Sequence, residues 1–237
     1  MAREPGPLLA SGRDTDIFEF GPGLVLRRAR NNRSLEHEAR VMEYVRERGY
    51  PAPQVHELRD EGRELVMDRV EGVTMGAQVM KRPWLLRRSG RLLAQLHQQL
   101  HALPAPTWFR QAPDGGENVI HLDLHPLNVL MAPGGPVVID WANAARGEEA
   151  TDVADTWLVM ECADPGAGVF ATQVVLRFRR LLVEAFLGPF DRGTVVTRLR
   201  PLVEHRAADR NISPAEIEAM RRVVAREEAR EQRKARG

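Results

Sequence analysis

Over the first seventy positions the apolar residues fall in short runs broken by turn residues, and the pattern reads as β-rich with one inserted helix. Ile17 to Phe20 and Leu24 to Arg28 are strand candidates divided by Gly21-Pro22-Gly23. Ser34 reads as an N-cap for a helix reaching about Arg48, where Gly49, Pro51 and Pro53 stop it. Leu35, Met42 and Val45 form its apolar stripe, and Glu38 falls on the same stripe. An acid in an apolar stripe is costly unless paired, so Glu38 asks for a cation. Two more strands are expected near Gln54 to Leu58 and Glu64 to Met67, with Asp60-Glu61-Gly62 turning between them.

Beyond Gly72 the period changes. Trp84, Leu85, Leu92, Leu93, Leu96 and Leu100 recur at helical spacing, which predicts one amphipathic helix ending near His101. On it, His97 and His101 read as ordinary partly buried or surface histidines. A Pro/Gly-rich connector, Leu103 to Gly116, leads to short apolar strands at Val129 to Met131 and Val137 to Ile139, joined by Ala132-Pro133-Gly134-Gly135-Pro136. Helices are expected over about Ala150 to Cys162, Phe170 to Phe186, Thr194 to Arg206, and from Pro214 onward, the last opened by Ser213-Pro214-Ala215-Glu216. The expected architecture is α+β and two-lobed, with residues 1–72 as a β-rich lobe and 73–237 as a larger helical one.

Composition narrows the class. Hydrophobic residues make up 43% and charged residues 28% of the 237, as in ordinary globular domains. The formal charge of +1 points to neither a nucleic-acid nor a membrane partner. No apolar run approaches the ~20 residues of a membrane helix. The single cysteine, Cys162, excludes an internal disulfide and suits a reducing compartment such as the cytoplasm. Of 34 basic residues only Lys81 and Lys234 are lysines, so a cation at a site is expected to be arginine. The last helix carries seven basic and three acidic residues between Arg221 and Arg236. It reads as a solvated helix with pairs Glu227–Arg230 and Glu231–Lys234, or else as a contact surface for an acidic partner.

The chemistry is concentrated in His121-Leu122-Asp123-Leu124-His125-Pro126-Leu127-Asn128, followed after a hairpin by Ile139-Asp140-Trp141. Phosphoryl transfer from a nucleotide needs a carboxylate to take or orient the proton of a hydroxyl, and oxygen ligands for Mg²⁺. A two-stranded hairpin places Asn128, at the start of one strand, near Asp140, at the end of the other. That pair offers Mg²⁺ an amide oxygen and a carboxylate, with Asp123 on the adjacent loop.

The loop matches the kinase pattern H-x-D-x-x-x-x-N. With Ile-Asp-Trp after the hairpin, and Arg146-Gly147 and Asp152-Val153-Ala154 beyond, the chain resembles the aminoglycoside phosphotransferase and choline kinase family, which has a protein-kinase-like fold. The resemblance covers about residues 8 to 160. It implies Asp123 as catalytic base, Asn128 and Asp140 as metal ligands, and His121 as a brace of the loop. His125 becomes either a hydrogen-bond donor to phosphate or a second brace. A kinase-like fold also needs a strand cation paired with a helix acid; Arg27 fits, with Arg28 on the opposite strand face and Glu38 as the acid. Leu65 to Gly72 resembles the hinge, where the Asp68 carbonyl and Val70 amide would bind adenine and Met67 would line its pocket. Ser11 to Asp16, with a single glycine, lies where a phosphate-covering loop would be. The implied cofactors are ATP or GTP with Mg²⁺, and the implied partner is a small-molecule hydroxyl acceptor: a sugar, an amino alcohol or an aminoglycoside-like compound. An acidic acceptor pocket would draw on Glu148, Glu149, Asp155, Glu161, Asp164 and Glu184. A nucleotide-binding module without turnover and a minimal protein kinase are the alternative readings. The first conflicts with the joint presence of Asp123, Asn128 and Asp140, and the second with the lack of an A-P-E segment.

Overall fold

The computed structural model describes residues 4–12, 14–31, 33–162, 169–208 and 212–236, with backbone alone for 169–176 and 235. Arg13 and Asp164 lie outside the described residues. The N-terminal runs form an antiparallel sheet of β1 (Leu8–Ser11), β2 (Thr15–Glu19), β3 (Leu24–Ala29), β4 (Val55–Arg59) and β5 (Glu64–Asp68). The spatial order is β1-β2-β3-β5-β4, and helix α1 (Glu36–Glu47) is inserted after β3. Strand β1 is a departure from the sequence reading. Leu8 and Leu9 are exposed on an edge strand, so no buried face marked it. Ser11, Thr15 and Asp16 therefore belong to a hairpin and not to a long loop.

Helix α1 buries Leu35, Val41, Met42, Val45 and Glu38, so the stripe faces inward as its spacing requires. The Asp60-Glu61-Gly62 turn is tight, with positive φ at all three residues.

After Gly72 come β6 (Val73–Thr74), α2 (Met75–Lys81) and α3 (Leu86–His101). The expected single helix from Trp84 thus divides into a short 3₁₀ turn over Pro83–Leu85 and α3, while Trp84 is 75% exposed. Strands β8 (Val129–Ala132) and β9 (Gly135–Val138) form the anticipated hairpin, and β6 adds to β8. Between and after these strands lie two unanticipated three-residue strands, β7 (Asn118–Ile120) and β10 (Ala145–Gly147), paired antiparallel. Four helices follow: α4 (Glu149–Cys162), α5 (Val169–Leu187), α6 (Arg192–Ala207) and α7 (Pro214–Arg236).

Helices α3 and α5 pack closely because Gly90 lacks a side chain. A Cβ there would meet the Leu182 carbonyl oxygen at 2.5 Å. Helix α4 is buried on several sides, taking in Val153, Ala154, Trp157 and Leu158 together with Asp152, Asp155 and Thr156. Helix α7 is no solvated tail: Ile217, Met220, Val223, Val224 and Glu227 are buried. Its start is a capping box in which the Glu216 amide donates to Ser213 Oγ at 3.2 Å and the Ser213 amide to Glu216 Oε2 at 2.9 Å. No helix among the described residues is long and apolar enough to cross a membrane.

Candidate active site

The site lies between the five-stranded sheet and the β8–β9 hairpin, on a cleft of about 440 Å³. Its walls are apolar near Ala10, Val25, Leu130 and Ile139, and polar where Arg27, Glu38, Asn128 and Asp140 converge. Met67, Asp68 and Val70 line the same cleft. Asp68 is tied down on its far side, accepting from the Gln54 amide at 3.2 Å and meeting His56 Nε2 at 2.8 Å. An adjoining recess of about 250 Å³ shares Gly12, Arg27, Glu38 and Asp140 and adds Asp14, Arg33 and Asp123. A larger cavity of about 590 Å³ between α3 and α5 contains none of these groups.

Strand alternation decides which arginine enters the cleft. Arg27 and Arg28 are neighbours on β3 and point to opposite faces. Arg27 is buried and bridges Glu38 at 2.7 Å and Asp140 at 2.9 Å. Arg28 is partly exposed and pairs with Glu64 at 2.7 Å instead. Burial opposes the charge on Arg27, but the Glu38 and Asp140 carboxylates outweigh it and raise its pKa. For Glu38 burial is the larger influence, and its pKa is raised despite Arg27.

In the loop, β7 delivers His121 to Asp123, and the turn before β8 delivers Asn128. Asn128 Nδ2 donates to both the Asp123 carbonyl at 2.9 Å and its Oδ2 at 3.0 Å. His125 Nε2 lies 3.2 Å from Asp123 Oδ1. The Leu127 amide donates to His125 Nδ1 at 3.2 Å, so the ring proton sits on Nε2, facing Asp123. Burial acts to raise the Asp123 pKa. The hydrogen bond from His125 Nε2, with a smaller contribution from Arg206, prevails and lowers it, so the carboxylate is ionised near neutrality. His125 thus sits within the loop's own hydrogen-bond network.

Two residues hold left-handed backbone at the site: Leu122 at φ 57° and Asp140 at φ 65°. For side chains of this kind the conformation costs roughly 1–2 kcal/mol. Leu122 is held there by Asp152, whose Oδ1 accepts its amide at 2.7 Å and that of His121 at 3.2 Å. The other oxygen of Asp152 accepts from His101 Nε2 at 2.8 Å. Asp152, His101 and His121 are all buried, so His101 departs from the ordinary-histidine reading because it holds the carboxylate that holds the loop. His97 is equally buried, donating from Nδ1 to the Leu93 carbonyl at 2.9 Å and lying 2.9 Å from the Thr156 hydroxyl. His121 braces by packing: its ring lies 4.7 Å from that of Trp141, and neither nitrogen has a hydrogen-bond partner.

Asn128 Oδ1 and Asp140 Oδ2 accept no hydrogen bond among the described residues, which leaves two hard oxygen donors facing one cleft. That set fits Mg²⁺, which takes few protein oxygens and fills its octahedron with water and phosphate. Groups of three or more His, Cys, Asp or Glu able to hold a metal are absent among the described residues, so a soft or fully protein-bound metal has no cage here.

Of the acids considered for an acceptor pocket, four lie away from the nucleotide cleft. Asp155 is buried and paired with Arg206, Glu149 accepts from Asn118 Nδ2 at 2.8 Å, and Glu161 and Glu184 face a separate cleft. Arg33, not singled out in the sequence, lines the recess with Asp123 and donates to the Ala142 carbonyl at 3.1 Å. One arginine among 32 carries no local signal of such a position.

The sequence matches the family model for the phosphotransferase enzyme family over residues 6–118 and 105–181. Comparison with curated proteins gives no match. Among solved structures, the chain is similar to a choline/ethanolamine kinase family protein from Mesorhizobium loti, with a TM-score of 0.60 at 15% identity, covering 94% of this chain and 87% of the other. It is also similar to aminoglycoside phosphotransferase APH(4)-Ia (TM-score 0.58, 17% identity, 92% of each chain). A third is the amicoumacin kinase hAmiN, at TM-score 0.52 and 13% identity, covering 94% of this chain and 88% of that one. At these identities the likeness is one of fold.

Proposed function

Because the chain belongs to the phosphotransferase enzyme family, we propose that it transfers the γ-phosphate of ATP to a hydroxyl group of a small molecule, with Asp123 as the base. The observation that carries this reading is the convergence of Asp123, Asn128, Asp140 and the Arg27–Glu38 pair on one cleft. The fold neighbours fit it: a thermostable mutant of APH(4)-Ia was solved with ADP and hygromycin B, and hAmiN with AMP-PNP, Ca²⁺ and Ami.

In this reading residues 1–72 hold the nucleotide and 73–237 the acceptor. Adenine lies against Met67 and bonds to the Asp68 carbonyl and Val70 amide. Arg27, fixed by Glu38, contacts the phosphates. Asn128 and Asp140 hold Mg²⁺, which when bound offsets the negative charge of the phosphates. Asp123 accepts the acceptor hydroxyl's proton, the freed oxygen bonds to the γ-phosphorus, and ADP leaves with the bridging electron pair. Asn128 Nδ2 fixes one carboxylate oxygen of Asp123. His125 Nε2–H steadies the other, and its role is orientation of the base. The acceptor is a sugar, an amino alcohol or an aminoglycoside-like alcohol.

A thermal-shift titration tests the nucleotide site. ATP at about 100 times its Kd stabilises a protein by ~2.7 kcal/mol, and the shift is expected to require Mg²⁺. A nucleotide-independent melting temperature would remove the reading. With a shift in hand, ADP release across a panel of sugars and amino alcohols identifies the acceptor.

A further inference from the structure

Away from the nucleotide cleft, α4, α5, α6 and α7 enclose a second cleft of about 370 Å³ that shares no lining residue with the first. Six arginines face it: Arg179 and Arg180 from α5, Arg192 from α6, and Arg226, Arg230 and Arg233 from α7. Only three acids line it, Glu161, Glu184 and Glu227, so basic side chains outnumber acidic ones along its walls. The basic residues of the last helix are therefore not scattered over a solvated surface. One set of them lines a cleft shared with α4, α5 and α6.

The acids fix the guanidinium groups and do not neutralise them. Glu227, buried, accepts from Arg226 Nε at 2.9 Å and Arg192 at 3.0 Å, and lies 3.8 Å from Arg230. Glu184 takes Arg192 at 3.0 Å and Glu161 takes Arg226 at 3.2 Å. Arg192 also lies over the buried Trp157 ring at 4.8 Å, and its Nε is buried without a hydrogen-bond partner. Arg180 and Arg233 are exposed and form no ion pair with a described residue. Like charges in excess in one concavity repel each other and focus a positive potential there. Guanidinium forks in fixed positions match the oxygens of phosphate and carboxylate groups.

We propose that this cleft binds a compact polyanion carrying at least two phosphate or carboxylate groups, at a site separate from phosphoryl transfer. The volume suits a small molecule and not a nucleic-acid duplex.

The test is calorimetric titration of the full chain with tripolyphosphate and, separately, with citrate, at fixed ionic strength and without divalent metal. At least one is expected to bind with 1:1 stoichiometry, and which of them binds tells phosphate from carboxylate. The double variant Arg180→Ala/Arg233→Ala breaks no ion pair, so its melting temperature should match that of the native chain. Its affinity is expected to fall about tenfold or more, since charge-assisted hydrogen bonds are lost. Arg27→Ala, in the nucleotide cleft, should leave the affinity unchanged. The proposal is overturned if neither anion binds, if the double variant binds as well as the native chain, or if Arg27→Ala abolishes binding. Tighter binding of a single-stranded oligonucleotide than of either small anion would also overturn it, making the surface a nucleic-acid contact.

Discussion

The two sides of the Asp123 loop are built on opposite principles. In front, Asp123 and Asp140 are carboxylates open to a cleft, each held by one or two neighbours and each with capacity left for a ligand. Behind, Asp152 is sealed from solvent and its oxygens are spent on His101 and on the amides of His121 and Leu122. Acids of the same kind, on either side of one loop, are divided into those that act and one that holds. Burial and saturation of hydrogen bonds make the division, and residue type does not.

Substitutions can break that contrast in order of effect. Asp123→Asn should lower turnover by about 10²–10⁴-fold while leaving the melting temperature and nucleotide affinity near native; full activity in an ADP-release assay would mean the base lies elsewhere. Asp152→Ala should do the reverse and act on stability first. Removing one partner of a buried, hydrogen-bonded charge costs about 3–5 kcal/mol, which at this chain length is a fall of about 10 °C in the melting temperature. A loss below 1 °C would show that the loop is held by other contacts.

A third comparison uses pH. Burial is the main influence on His97 and, against the opposing Asp152 charge, lowers its pKa from 6.5 to about 4. The folded state thus disfavours the charged ring. The resulting stability is present above pH 6.5 and is lost as pH falls through about 4, an amount of about 3 kcal/mol. Asp155, raised by burial to about 7 against the pull of Arg206, acts in the opposite sense, losing stability as pH rises through about 7. Denaturation of the native chain against His97→Gln, at stepped pH values, isolates the histidine. An unchanged acid limb in the variant would contradict the assignment. The smallest effect is expected for Arg28→Ala, because its buried partner Glu64 keeps Arg59 at 3.9 Å from its other oxygen, whereas Arg27→Ala strands the buried Glu38 and should weaken nucleotide binding as well.

The same contrast explains what the sequence disclosed. The front of the loop was legible because its groups lie within eight contiguous positions and one hairpin, where spacing translates directly into geometry. Arg27 and Glu38 were legible too, one from strand alternation and the other from its anomalous place on an apolar stripe. The brace was not, since His101 and Asp152 are 51 positions apart and meet only through packing of α3 on α4. Nothing in helical periodicity distinguishes a histidine that faces a buried acid from one that faces solvent. Strands β7 and β10 escaped for a similar reason: three residues are too few for an alternating pattern, and their partner lies beyond an entire hairpin. The start of helix α7 and its Glu227–Arg230 and Glu231–Lys234 pairs are as expected, but its arginines hide the buried stripe of Ile217, Met220, Val223 and Val224.

The cation in the cleft is a guanidinium, and that has a practical bearing on how the protein can be probed. Reagents that mark nucleotide sites by acylating a nearby amine have nothing to react with at Arg27. The only side-chain amines, Lys81 at the end of α2 and Lys234 near the end of α7, line neither part of the cleft. Such labelling will report on the surface alone, and a dicarbonyl reagent selective for arginine, competed by nucleotide, is the appropriate chemical tool for this chain.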